Sequence, residues 1–239
     1  MTDSPLPLLG LIVPPRSGAV PDDGPALYGD RVRFAARGLG LGEISTRGYE
    51  QVIDHVVDLA AALAAEGAQA ISLMGTSLSF FRGARFNETL EAEMTRRVGL
   101  PCTTMSNAIV RGLRALGVRR VAVATAYIDE VNARLGAYLA DSDLVATTIR
   151  GLAITGVAEV AEVSTDTLVA LCEAVYGAEP RPEGILISCG GLLTLEAIAI
   201  VEARLGVPVV SSSPAGFWDL IRTAGLDSRV HGRGRLLET

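Results

Sequence analysis

The sequence predicts an α/β protein of two pseudo-symmetric domains, each a mainly parallel sheet flanked by helices, with a site in the cleft between them. Short apolar runs alternate with amphipathic stretches along most of the chain, the rhythm that builds parallel sheets. The two halves also resemble each other. Gly99-Leu-Pro-Cys-Thr-Thr-Met-Ser106 corresponds to Gly206-Val-Pro-Val-Val-Ser-Ser-Ser213, and each leads into an amphipathic helix ending in Ala-Leu-Gly or Thr-Ala-Gly. Upstream, Ser72-Leu-Met-Gly75-Thr-Ser takes the place of Ile187-Ser-Cys189-Gly-Gly. The repeat makes each domain Rossmann-like, the first expected at residues 1–116 plus about 213–239 and the second at 117–212.

Taken in order, Leu8 to Val13 is a buried strand stopped by Pro14-Pro15. From there to Gly42 the chain is too rich in Gly, Pro and Asp to predict regular structure, and a long loop at a strand end is expected to cover a site. Tyr49 to Glu66 reads as one helix, because Val52, Ile53, Val56, Leu59, Ala60 and Leu63 recur at helical spacing before Gly67. Ala70 to Met74 is a strand broken at Gly75-Thr76-Ser77. A helix follows from Phe86 to Val98, then a short strand from Pro101 to Thr104 and a helix from Ser106 to Leu116. The second cycle gives a strand from Arg120 to Thr125, a helix from Asp129 to about Ala140 and a strand from Val145 to Ile149. The loop Gly151 to Gly156 precedes an amphipathic helix from Thr165 to Tyr176. Ile185 to Ser188 is a strand expected to pass through Cys189-Gly-Gly into a helix from Leu192 to Leu205. Val207 to Ser211 and a helix from Pro214 to Ala224 complete the pattern, and the polar tail after Gly225 is expected to be loose.

Composition narrows the chemistry. All 21 basic residues are Arg; without lysine there is no Schiff base, no lysine-bound pyridoxal phosphate or biotin and no P-loop. The net charge of −6 and the lack of basic blocks argue against nucleic acid or an anionic membrane as partner. No apolar run approaches the roughly 18–20 residues of a membrane span, and the first residues lack the pattern of a secretory signal, so a cytoplasmic location is expected. A monomer is expected rather than an obligate oligomer. Three unpaired cysteines and two isolated histidines, His55 on a solvated helix face and His231 in the tail, make neither a disulfide framework nor a metal site.

Cys189 stands where a strand meets a Gly-Gly turn, the end of an α/β sheet that faces ligands. With no lysine or histidine nearby to make a thiolate, a proton-donor role suits it better than that of a permanent nucleophile, a buried structural thiol being the plainer alternative. Cys102, in a strand, and Cys172, on a core helix face, read as structural. Thr76, Ser77 and Tyr127 lie at other strand ends, with the amides of Ser77, Cys189 and Gly190 as further donors for a carboxylate that becomes an enediolate. Thr76 and Ser77 serve equally well as helix caps, and Ser211 to Ser213 are expected to cap the last helix. By the repeat, Gly75 faces Cys189, so the site has a thiol on one wall only.

Ile12-Val-Pro-Pro15, Gly38 to Gly42, Ser72 to Ser79, Ala124 to Ile128, Gly151 to Val157, Ser188 to Thr194 and Val210 to Trp218 resemble the arylmalonate decarboxylases of the aspartate/glutamate racemase superfamily. Racemases and maleate isomerases of that superfamily carry a cysteine at both strand ends, whereas this chain has Gly75 at the first. The resemblance implies cofactor-free decarboxylation of an α-aryl-α-methylmalonate to one enantiomer of a 2-arylpropionate and CO2. By it, Thr76, Ser77, Tyr127 and the Gly190 amide would hold the carboxylate that stays, and Cys189 would protonate the enediolate. The leaving carboxylate would face an apolar pocket of Val13, Pro14, Leu41 and Ile44 together with Tyr49, Met74, Val157 and Val160. Ile44 and Val160 stand where some relatives carry other apolar residues. The alternatives are an amino-acid racemase or maleate isomerase, which would need a second thiol, and a two-domain binding protein of the exported type, which would need a signal.

Overall fold

Apolar runs bounded by Pro or Gly fold as the strands of two sheets in the computed structural model, which describes residues 5–178 and 180–239. The first sheet contains β1 (Leu8–Val13), β2 (Arg33–Gly38), β3 (Ala70–Leu73) and β4 (Cys102–Thr104), ordered β2-β1-β3-β4. The second contains β5 (Arg120–Thr125), β6 (Val145–Gly151), β7 (Gly184–Ser188) and β8 (Val209–Ser211), ordered β6-β5-β7-β8. Every neighbouring pair is parallel. The repeat therefore maps strand onto strand, β1 onto β5 through β4 onto β8.

The helices are α1 (Asp23–Tyr28), α2 (Thr46–Val52), α3 (Val56–Ala65), α4 (Thr76–Phe80), α5 (Ala84–Val98), α6 (Met105–Ala115), α7 (Asp129–Asp141), α8 (Thr165–Tyr176), α9 (Leu195–Leu205) and α10 (Ser212–Thr223). Central strands β3 and β7 are buried along their whole length, which explains their continuous apolar character. Burying each large aliphatic side chain there contributes about 1.5–3 kcal/mol. In both sheets the chain leaves the first strand toward one edge and the third toward the other. This reversal opens a crevice at the carboxyl ends of β1 and β3, and another at those of β5 and β7.

Five sequence expectations need correction. The segment from Pro14 to Gly42 is not irregular throughout, since it contains α1 and β2. The former is held by packing on α10, with Gly24 so close to Phe217 that a Cβ would lie 2.5 Å from its ring. Tyr49 to Glu66 is not one helix, because a single 3-10 turn over Ile53–His55 separates α2 from α3. The chain enters α4 directly at Thr76 instead of a turn. After Cys189, five residues of turn intervene before α9 begins at Leu195. The tail is anchored, because Leu236 and Leu237 are buried and the Tyr28 hydroxyl donates to Ser228 O at 2.8 Å. His55 and His231 are exposed. No helix among the described residues is long and apolar enough to cross a membrane.

Candidate active site

The carboxyl ends of β1, β3, β5 and β7 face one another across a cavity of about 550 Å³. Thr76, Ser77, Tyr127, Cys189, Gly190 and Gly75 all line it. So do Val13, Pro14, Leu41, Ile44, Met74, Val157 and Val160. Tyr49 does not; it is fully buried behind the wall, its hydroxyl without a hydrogen-bond partner but near enough to Ser77 to feel it electrostatically. The loop after β2 closes one side, tied to the loop after β6 by the Ile44 N–H, which donates to Thr155 O at 3.0 Å.

Cys189 is 7% exposed. Its backbone sits at φ 155°, a region that L-residues rarely adopt. Gly75, at the equivalent strand end, has φ −131° and ψ 99°, ordinary extended geometry. The Cys189 N–H donates to Ser212 Oγ at 3.1 Å, fixing the strained turn to the start of α10. That bond removes the Cys189 amide from the set of free donors expected from the sequence. The Gly190 N–H donates to no acceptor among the described residues. Thr76 and Ser77 open α4, so their N–H groups have no partner within the helix.

Electrostatically the site is one-sided. Burial pushes the Cys189 thiol up to about 11, against smaller opposing effects from the Gly191 N–H and the Tyr127 hydroxyl. The thiol is therefore protonated at neutral pH. Tyr127 is 1% exposed, and burial first, then the neighbouring Cys189 and Tyr49, raise its phenol well above the ordinary value. Its hydroxyl has no hydrogen-bond partner in good geometry, and neither has that of Ser188. A buried donor left unpaired costs about 1–3 kcal/mol. Tyr127, which lines the cavity, is thereby set to meet a ligand.

Capping does not account for the hydroxyls. Thr76 Oγ1 lies 2.8 Å from Met105 Sδ instead of bonding the backbone, and α4 has no side-chain cap. Helix α10 likewise has none: Ser211 pairs with Thr194 Oγ1 at 2.7 Å, Ser212 holds Cys189, and Ser213 Oγ has no partner. Met105, which the sequence reading missed, lies beneath both strand ends, since a Cβ on Gly190 would come within 3.0 Å of the same sulfur. Asp23 was missed as well. It lines the cavity at 6% exposure from a stretch that carried no helical pattern. No group of three or more His, Cys, Asp or Glu among the described residues could hold a metal ion.

The arrangement offers unpaired donors on one side, an apolar wall on another and a single protonated thiol. Among known proteins, a curated arylmalonate decarboxylase from Bordetella bronchiseptica is 58% identical over 239 residues, covering 100% of this chain and 99% of that protein. The chain also resembles a liganded arylmalonate decarboxylase double mutant with Gly-to-Cys and Cys-to-Ser exchanges, at a TM-score of 0.94 and 59% identity over 96% of this chain and 98% of that one. The maleate cis-trans isomerase of Nocardia farcinica, solved bound to TRIS, shares the fold at a TM-score of 0.90 and 22% identity, over 98% of each chain. The family profile described as arylmalonate decarboxylase matches residues 9–237, and with the full-length identity this places the chain in the arylmalonate decarboxylase family.

Proposed function

We propose that this decarboxylase converts α-aryl-α-methylmalonates to 2-arylpropionates of one hand, without a cofactor, by protonating an enediolate from Cys189. One carboxylate is held by the hydroxyls of Thr76, Ser77 and Tyr127 and by the Gly190 N–H. The other lies against Val13, Pro14, Leu41, Ile44 and Met74, with Val157 and Val160 beyond, where nothing replaces its hydration and loss as neutral CO2 is favoured. The C–C bond breaks with its electron pair left on the α-carbon and delocalised into the bound carboxylate. The second negative charge that develops there meets the preorganised donors, each contributing about 2.7–4 kcal/mol at the transition state. The Cys189 S–H then gives its proton to the α-carbon, and the thiolate recovers one from water.

The observation that carries this proposal is that Cys189, protonated at neutral pH, is the one cysteine among the described residues lining the cavity, while Gly75, at the equivalent strand end of the same cavity, has no side chain. A racemase or isomerase using two thiols has no second one at Gly75. The test is release of CO2 from phenylmalonate and chiral analysis of the acid formed from α-methyl-α-phenylmalonate, for the wild type and Cys189→Ser. General-acid catalysis is worth about 10²–10⁴-fold, so kcat should fall by that factor in the variant while KM changes little. Near-full activity of Cys189→Ser would refute the proton-donor role.

A further inference from the structure

The cavity is of a size that encloses a drug-sized ligand, whereas phenylmalonate is only a fragment. Its wall continues past the residues used above to Arg16, Ala19, Val20, Pro21, Asp23 and Ser213. Two of these are buried polar groups with no side-chain partner beyond each other. Asp23 pairs with no cation and accepts no hydrogen bond of good geometry from the described residues, and Ser213 Oγ is a buried hydroxyl with no partner. They lie near each other, since Ser213 opposes the rise that burial, and less strongly Asp22, impose on the Asp23 carboxyl. Both sit on packed elements, because Gly24, the next residue of α1, is pressed against Phe217 of α10, the helix that carries Ser213. Such groups are costly unless something completes them.

A carboxylate that accepts and a hydroxyl that donates together match a group that does both. We infer that Asp23 and Ser213 form a polar end of the active cavity that selects arylmalonates bearing a ring hydroxyl. The Asp23 carboxylate accepts the phenolic O–H, and the Ser213 hydroxyl donates to the phenolic oxygen. The inference rests on the decarboxylase reading above and names the substrate class for that same site.

The experiment compares kcat/KM for 3-hydroxyphenyl-, 4-hydroxyphenyl- and unsubstituted phenylmalonate in the wild type, Asp23→Ala and Ser213→Ala. At least one hydroxylated isomer should be preferred by about tenfold or more, as a buried charge-assisted hydrogen bond implies. The preference should arise in KM, vanish in Asp23→Ala and shrink in Ser213→Ala. A wild-type ratio near or below one for both isomers, with phenylmalonate turned over, overturns this inference alone and leaves the polar end simply hydrated. A preference that survives both substitutions also overturns it. Failure of the folded protein to decarboxylate any of the three would overturn the decarboxylase reading itself. Should Asp23→Ala not fold, the wild-type ratio and Ser213→Ala still decide.

Discussion

Placing a second thiol opposite the first tests the facing-wall geometry most directly. In Gly75→Cys the new Cβ would meet Leu78 Cδ1 at 2.8 Å, Leu78 Cβ at 3.2 Å and Pro14 Cγ at 3.4 Å. The first contact is with the far end of a flexible side chain, which can rotate; the second requires α4 to give by a few tenths of an ångström. Overpacking of this kind costs about 1–3 kcal/mol. For a chain of this size that is a fall in Tm of about 2–12 °C, measurable by circular dichroism. The second donor would protonate the enediolate from the other face. A barrier difference of only about 1.4 kcal/mol between the two thiols would hold the enantiomeric excess of 2-phenylpropionate to about 80%, and equal barriers would abolish it. Combining the substitution with Cys189→Ser should invert the product. Chiral chromatography reads both outcomes, and an unchanged enantiomeric excess from a folded, active Gly75→Cys protein would refute the geometry.

Removing the unpaired phenol in Tyr127→Phe should act on activity and stability in opposite directions. Activity should fall by about 10²–10³-fold in kcat as a transition-state donor is lost, while stability rises by about 1–3 kcal/mol, checked by denaturant unfolding. With Cys189 as the proposed proton donor, kcat should be level through neutral pH and fall as pH rises through about 11; a fall centred on the ordinary thiol value of 9.0 would contradict the burial of the donor. Burial raises the Asp23 carboxyl above its ordinary 3.8, so in the window above that value the folded state keeps a proton that the unfolded state has lost. Stability contributed by this group is therefore lost as pH rises through the window, and Asp23→Asn should raise Tm at neutral pH and not below pH 3.8.

Legibility followed burial. Strands β5 and β7 and helix α8 could be read nearly to the residue because both faces of the strands, or one full stripe of the helix, are apolar. β2 was missed because it is an edge strand, half open to solvent, whose Arg-Phe-Ala-Ala-Arg-Gly shows no apolar run. The six residues of α1 include Gly and Pro and owe their helix to α10, a tertiary cause with no local signal. The turn that splits α2 from α3 contains neither Gly nor Pro, so periodicity ran straight through it. At the site, the strand-end residues could be picked out because the repeat marks equivalent ends. Asp23 and Met105 could not, since Asp23 reaches the cavity, and Met105 the strand ends beneath it, through packing between segments distant in sequence. Tyr49 reads like a wall residue, yet the structure puts it one layer behind.

The two equivalent strand ends constrain their residues in different ways, one through the backbone and the other through space. Cysteine occupies the backbone that suits glycine, at φ 155°, and glycine occupies an extended position with little room for a Cβ beside Leu78. Glycine at position 189 would relieve strain of the order of 1–3 kcal/mol, and a side chain at position 75 would cost about as much in overpacking. The two effects are of similar size, so exchanging the residues is close to neutral for the fold. Stability alone therefore places little constraint on which strand end bears the thiol.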